Sequence, residues 1–216
     1  MIDPDISNPR AKHVYEKAGF VHVGDFVMGG SGCFAGCKTH LLVWRSEMHG
    51  KPTELNVTIR SAQRSDIPTM VALSHAKRLS YEKAHPQFWR HATDANKAQS
   101  RWFETLITQE DHLLLVAESH GQVVGFVIGR LMKVPEVYDP GGLTLMVDDF
   151  CVEDLYLWPS IGNRLVDELK AQAKIKGATQ ILVVCGAHDQ PKRCFLKRLG
   201  LSVASEWYVG GLNESE

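Results

Sequence analysis

The sequence predicts a mixed α/β domain, a mostly antiparallel sheet carrying helices on both faces. Two features predict it. Apolar runs at 113–118 and 122–131 flank His120-Gly121, the pattern of an antiparallel hairpin. Alternating strand and helix patterns follow from residue 143 to the C-terminus, so the hairpin joins a mixed sheet with layers on either side.

Taken in order, the pattern begins with a short strand at 57–60. Ser65 and Asp66 are N-caps for a helix with Pro68 in its first turn, carrying Ile67, Val71, Leu73 and Ala76. A second helix spans about 94–107, with Trp102, Phe103, Leu106 and Ile107 on its apolar side. After the hairpin, a turn at Asp139-Pro140-Gly141-Gly142 leads into a strand at 143–152. Residues 161–174 are amphipathic through Ile161, Leu165, Val166, Leu169 and Ala173, and Gly177 closes that helix in the C′ position. The near-continuous apolar run 180–185 predicts a strand buried on both faces. A helix at 190–199 and a strand at 202–209 complete the set.

Residues 1–48 read as a separate piece. Ser7 or Asn8 caps a helix with Pro9 at its first position and Gly19 at its end; strand-like runs at 21–28 and 39–44 flank a glycine-rich loop. Three elements are too few to bury a core alone. Residues 49–55 are a polar linker with Gly50 and Pro52, and 56–216 form the complete domain. Asn8 to Val27 also aligns with Asp189 to Tyr208, setting Gly19 on Gly200 and Phe20 on Leu201. The 216 residues, at roughly 150 per domain, thus divide into a back-end fragment and a whole copy.

Composition sets the boundaries. Apolar residues at 44% and charged ones at 23% describe an ordinary globular chain. Lys+Arg 24 against Asp+Glu 25 gives no basic stripe for nucleic acid. No apolar run nears the ~20 residues of a membrane span, and the N-terminus lacks the apolar core of a signal peptide, so a cytoplasmic protein is expected. Cys151, Cys185 and Cys194 read as small buried hydrophobes; Cys33, Cys37 and His40 lack a second ligand pair, and no metal is expected.

Asn8 to Phe20 (NPRAKHVYEKAGF), Ile59 to Pro68 (IRSAQRSDIP) and Met146 to Leu169 (MVDDFCVEDLYLWPSIGNRLVDEL) resemble motifs of the GNAT superfamily of N-acetyltransferases. The resemblance covers 56 to about 212 as a whole domain and 2–45 as a terminal fragment of a second, tandem-like copy. It implies the GNAT acyltransferase fold, acetyl-CoA as co-substrate, and transfer to a small-molecule or peptide amine; a homodimer is a further expectation.

The site residues follow from the same motifs. Backbone of Phe150, Cys151 and Val152 corresponds to the strand that holds the acyl-pantetheine. A strand leading through a turn into a helix offers free N–H groups and a positive dipole end to a pyrophosphate. That turn is Leu157 to Gly162; Trp158, Ser160, Ile161, Gly162, Asn163 and Arg164 are the candidate cofactor contacts. It departs from the family pattern at Leu157 and Ser160, and Pro159 removes one N–H donor. Asp149 and Asp148 are the candidate bases; alternation puts them on opposite faces, and burial of the better-aligned Asp149 is expected to raise its pKa. The helix tyrosine that protonates the leaving thiolate in the family falls at Leu196 in the complete domain and survives only as Tyr15 in the fragment. His188 with Asp189 is the candidate substitute relay. Tyr81, Phe88, Trp89 and Trp102, with Tyr138 and its following turn, mark the acceptor side of the cleft. An alternative reading is a catalytically degenerate module that binds a CoA-type ligand or a protein partner.

Overall fold

The computed structural model describes His13, Phe20–Val27, Lys38–Trp44 and residues 57–211. Apart from His13, the expected helix at 8–19, and with it Tyr15, Cys33, Cys37 and the linker, lie outside the described residues. The chain divides into two compact units, Met1–Glu54 and Leu55–Glu216. In the first, β1 (Phe20–Val27) and β2 (Lys38–Trp44) form an antiparallel pair, with a register shift between His22 and Gly24.

The second unit holds a five-stranded sheet of β3 (Val57–Ser61), β4 (His112–Ser119), β5 (Gln122–Met132), β6 (Leu143–Val152) and β7 (Ala178–Val183), in that spatial order. Pairing is antiparallel up to β6 and parallel between β6 and β7. His120 and Gly121 both have positive φ, as the two-residue hairpin turn between β4 and β5 requires. Helices α1 (Ile67–Ala84), α2 (Pro86–Trp89) and α3 (Ala95–Leu106) precede the hairpin; α4 (Asn163–Ile175) and α5 (Gln190–Arg198) flank β7 in sequence. Gly177 and Gly200 follow α4 and α5 with positive φ.

Arg60 fixes the entry to α1. Its guanidinium grips Asp66 through two bonds of 2.7 and 2.9 Å and also reaches Glu118, while the Gln63 amide donates to Asp66 at 2.7 Å. These contacts outweigh burial and hold the Asp66 carboxyl below its ordinary range.

Two apolar layers sandwich the sheet. One combines Leu115, Val127, Leu145, Val147 and Phe150 with Leu165 and Leu169 of α4 and Phe195 of α5. The other combines Leu114, Val116, Phe126, Ile128 and Cys151 with Met70 of α1 and Phe103 of α3. The mixed sheet between helical layers is the architecture the element order predicts.

Three local expectations fail. Residues 202–209 carry no strand, and Trp207 and Tyr208 stand 84% and 90% exposed. Their β-forming side chains find no pairing strand there, and extended chain without a ladder is not held. The run 180–185 is an edge strand rather than one buried on both faces, so Leu182 and Val184 are exposed. Cys194, on the outer side of α5, is also exposed, whereas Cys151 is buried.

Candidate active site

The site is organised by an irregularity in β6. Val147 pairs with Gly129 and Asp149 with Ile128, so Asp148 is an extra residue without a partner on β5. Such a β-bulge reverses the alternation beyond it. Leu145 and Val147 face the α4 layer before the bulge; after it, Phe150 does so while Cys151 faces α1 and α3. The expectation that Asp148 and Asp149 point to opposite faces is therefore corrected: both line one cavity of about 340 Å³.

The two carboxylates differ in surroundings. Asp149 is 5% exposed; it pairs with Lys77 and accepts from Ser74 Oγ at 3.0 Å and Gln99 Nε2 at 3.1 Å. Burial pushes its pKa up, but the Lys77 ammonium, the Lys192 charge and the Ser74 bond outweigh it, and the net direction is down. This corrects the expected rise. Burial also drives the Cys151 thiol, 3.6 Å from Asp149 Oδ1, up to about 12, so this sulfur is no ready nucleophile. Asp148 is half-buried and makes no ion pair or side-chain hydrogen bond among the described residues. Burial raises its pKa, partly offset by the charges of Arg130 and His112.

Beyond the bulge, β6 and β7 part. Their last paired residues are Val147 and Val183, with one further bond from the Val184 amide to the Val147 carbonyl. Phe150, Cys151 and Val152 thus have no β7 partner. Lys192 of α5 fills the parting. Only 2% exposed, it donates to the Phe150 and Val184 carbonyls at 3.4 and 3.3 Å and lies over the rings of Phe150 and Trp158. Burial lowers its pKa, and no carboxylate among the described residues pairs with it. Lys192 also lines the cavity. Sequence reading missed it, together with Ser74, Lys77 and Gln99. The available signal was the spacing Lys192, Phe195, Leu196, which puts lysine on the buried stripe of α5.

The turn after β6 is wound rather than open. Leu155–Leu157 forms a 3₁₀ turn, Trp158–Gly162 a π-type turn, and α4 follows directly. Asp154 accepts the Tyr156 amide at 3.0 Å and so caps the start of this continuous winding. Trp158 and Ile161 are buried in the core, Trp158 edge-on to Phe150 with centroids 4.7 Å apart, so their side chains are not surface contacts. Gly162 is required there, since a Cβ would come 2.9 Å from Trp158. Ser160 Oγ and Asn163 Nδ2 bond back to the carbonyls of Leu157 and Pro159, and Arg164 is exposed.

His188 does not line the cavity. It packs edge-on against Tyr81, and Asp189 is engaged elsewhere, accepting from Tyr81 Oη at 2.7 Å and from the Lys192 amide at 3.2 Å. The expected His188–Asp189 relay is therefore not formed. Leu196 is buried beside Phe195 and offers no proton. Tyr81, Phe88, Trp89 and Trp102 do wall the cavity together, whereas Tyr138 and its turn do not.

The sequence profile described as the acetyltransferase (GNAT) family matches residues 74–201, more than half of the chain. The chain belongs to the GNAT family. It is an acetyl-CoA-dependent N-acyltransferase, with acetyl-CoA as co-substrate. No curated protein sequence matches the chain. Solved structures share the fold. The BH1408 protein of Bacillus halodurans superposes with TM-score 0.64 at 16% identity, covering 72% of this chain and 99% of its own. A predicted acetyltransferase with acetyl-CoA from Clostridium acetobutylicum gives 0.57 at 18%, covering 72% and 96%. An aminoglycoside antibiotic 6′-N-acetyltransferase from Acinetobacter baumannii gives 0.57 at 15%, covering 74% and 100%.

The parted edge of β6 offers backbone beside the cavity, and Ser160, Asn163 and Arg164 are the polar side chains at the neighbouring turn. No helix among the described residues is long and apolar enough to cross a membrane.

Proposed function

We propose that this GNAT protein passes the acetyl group directly to an amine seated in the aromatic-walled cavity, both substrates being bound at once. The observation that carries this reading is the bulge at Asp148. It presents an unpaired carboxylate of raised pKa to the cavity, next to the parted backbone of β6. Acetyl-CoA supplies the activated acyl group.

In this reading Asp148, directly or through water, takes the proton that the amine nitrogen loses on acylation. Asp149 is the less suitable base, because its lone pairs are committed to Lys77, Ser74 and Gln99. Its role is to hold Lys77 and Gln99 in place around the cavity. Phe150 to Val152 orient the acyl donor through backbone groups. Lys192, one turn before Leu196 on the same face of α5, donates to carbonyls on both sides of the parting and stabilises the negative charge of the CoA thiolate released as the thioester bond breaks.

The test combines calorimetry with acetyl-CoA and mass-spectrometric detection of acetylated products from a broad amine panel. Binding together with acetylated amine supports the reading. Heat of binding without product from any amine supports the second one, a CoA-binding module without turnover, for which the wound turn and Leu196 argue. Absence of both binding and product rejects the proposal.

A further inference from the structure

The charges around the cavity do not balance. Lys77, Arg78, Arg90 and Lys192 line it against only Asp148 and Asp149. Lys77 is neutralised by Asp149, and Lys192 is held by carbonyls. Arg78 is different. Its two terminal nitrogens donate to the side-chain oxygens of Gln99 and Asn96, both neutral, and it has no acidic partner among the described residues. Its Nε is buried without any hydrogen-bond acceptor. That nitrogen is closed to the cavity, but the guanidinium itself stands in the cavity wall with no acidic hydrogen-bond partner, and such groups are matched by carboxylate or phosphate oxygens. Gln99 ties this arginine to the reacting end, because its amide nitrogen donates to Asp149. Among the described residues, Arg78 and Lys192 thus line the cavity without a carboxylate partner, and Asp148 lines it without a cationic one.

We infer that the acceptor is an amine that also carries an anionic group, a carboxylate or a phosphate, recognised by Arg78 while the amine faces Asp148. The inference rests on the amine-transfer reading above and narrows it to a substrate class. A polycation such as an aminoglycoside would add positive charge to a lining already in excess and is disfavoured.

The test uses the full chain with acetyl-CoA and matched acceptors. Leucine and phenylalanine are compared with their carboxamides, glucosamine 6-phosphate with glucosamine, and kanamycin serves as the polycation. Transfer is followed by product mass, and acceptor binding separately by the fluorescence of Trp89 and Trp102. The expected result is a preference of about tenfold or more in kcat/KM and in binding for the anionic member of at least one pair. That ratio collapses toward one in Arg78→Met and partly returns in Arg78→Lys, chiefly through KM. The amino-acid and sugar-phosphate arms identify which anion is read. Thermal melting confirms that each variant folds, and Arg78→Gln gives a second variant should Arg78→Met fail to do so. Equal or better transfer to the neutral members or to kanamycin overturns the inference while leaving amine acetylation intact. Transfer to none of these acceptors, with no discrimination in binding, overturns the inference, and absence of acetyl-CoA binding and of product across the broad amine panel overturns the amine-transfer reading as well.

Discussion

Asp149→Asn isolates the buried cluster beneath the cavity. Asparagine keeps the size and one acceptor oxygen but removes the charge that faces Lys77, and it turns an NH₂ toward groups that already donate. Removing one member of a buried ion pair costs about 3–5 kcal/mol. The Lys77 side chain is 22% exposed and keeps part of its hydration, so a loss of about 2–3 kcal/mol is expected. With a urea m-value of about 2 kcal/mol/M, the unfolding midpoint should fall by roughly 1–1.5 M at unchanged slope. The pH dependence has a definite sign. Because the folded carboxyl titrates below its ordinary value, the stabilisation is fully present above the unfolded pKa of about 3.9 and disappears as pH falls through the folded one. The gap between wild type and variant should therefore close in acid. Lys77→Met in the Asp149→Asn background should recover most of the loss in a double-mutant cycle. A loss below about 0.5 kcal/mol, or strictly additive single variants, would refute the ion pair as the element that holds this cluster.

Other outcomes follow from the same geometry. Lys192→Met replaces a buried cation that has no carboxylate partner by an apolar chain of similar length; it should raise stability by about 1–2 kcal/mol while slowing acetyl transfer, measured by urea unfolding and by product formation in parallel. Gly162→Ala brings a methyl 2.9 Å from Trp158 and 3.1 Å from Phe195, and calorimetric melting should register a loss of about 1–3 kcal/mol. Asp66→Asn loosens the Arg60 clamp at the start of α1 and should cost about 1–3 kcal/mol at neutral pH, shrinking as pH drops below the ordinary carboxylate range.

Much of the fold was legible because its signals are local. His120-Gly121 announces a two-residue turn, Gly177 announces a helix end, and the apolar stripe of 161–174 matches one side of α4. What the sequence hid depends on pairing across the sheet. The bulge at Asp148 exists only in the register of β6 against β5, so strict alternation misassigned the two aspartates. The segment 202–209 has the local composition of a strand but no ladder to join. Lys192 sits in QPKRCFLKR, which reads as a charged surface helix, and only the parting of β6 from β7 gives its ammonium a buried seat. The winding of 155–162 was hidden by Pro159, which signals a loop but here stands at the second position of a helical turn.

The central claim is that Asp148, projected by the bulge, accepts the amine proton. The pH dependence of kcat/KM for acetyl transfer in wild type and Asp148→Asn tests it most directly. The wild type should show an acid limb with a midpoint above the ordinary carboxylate value. In folded Asp148→Asn the rate should fall by about 10²–10⁴-fold and that limb should vanish. A variant that keeps the wild-type rate and the wild-type acid limb would contradict it.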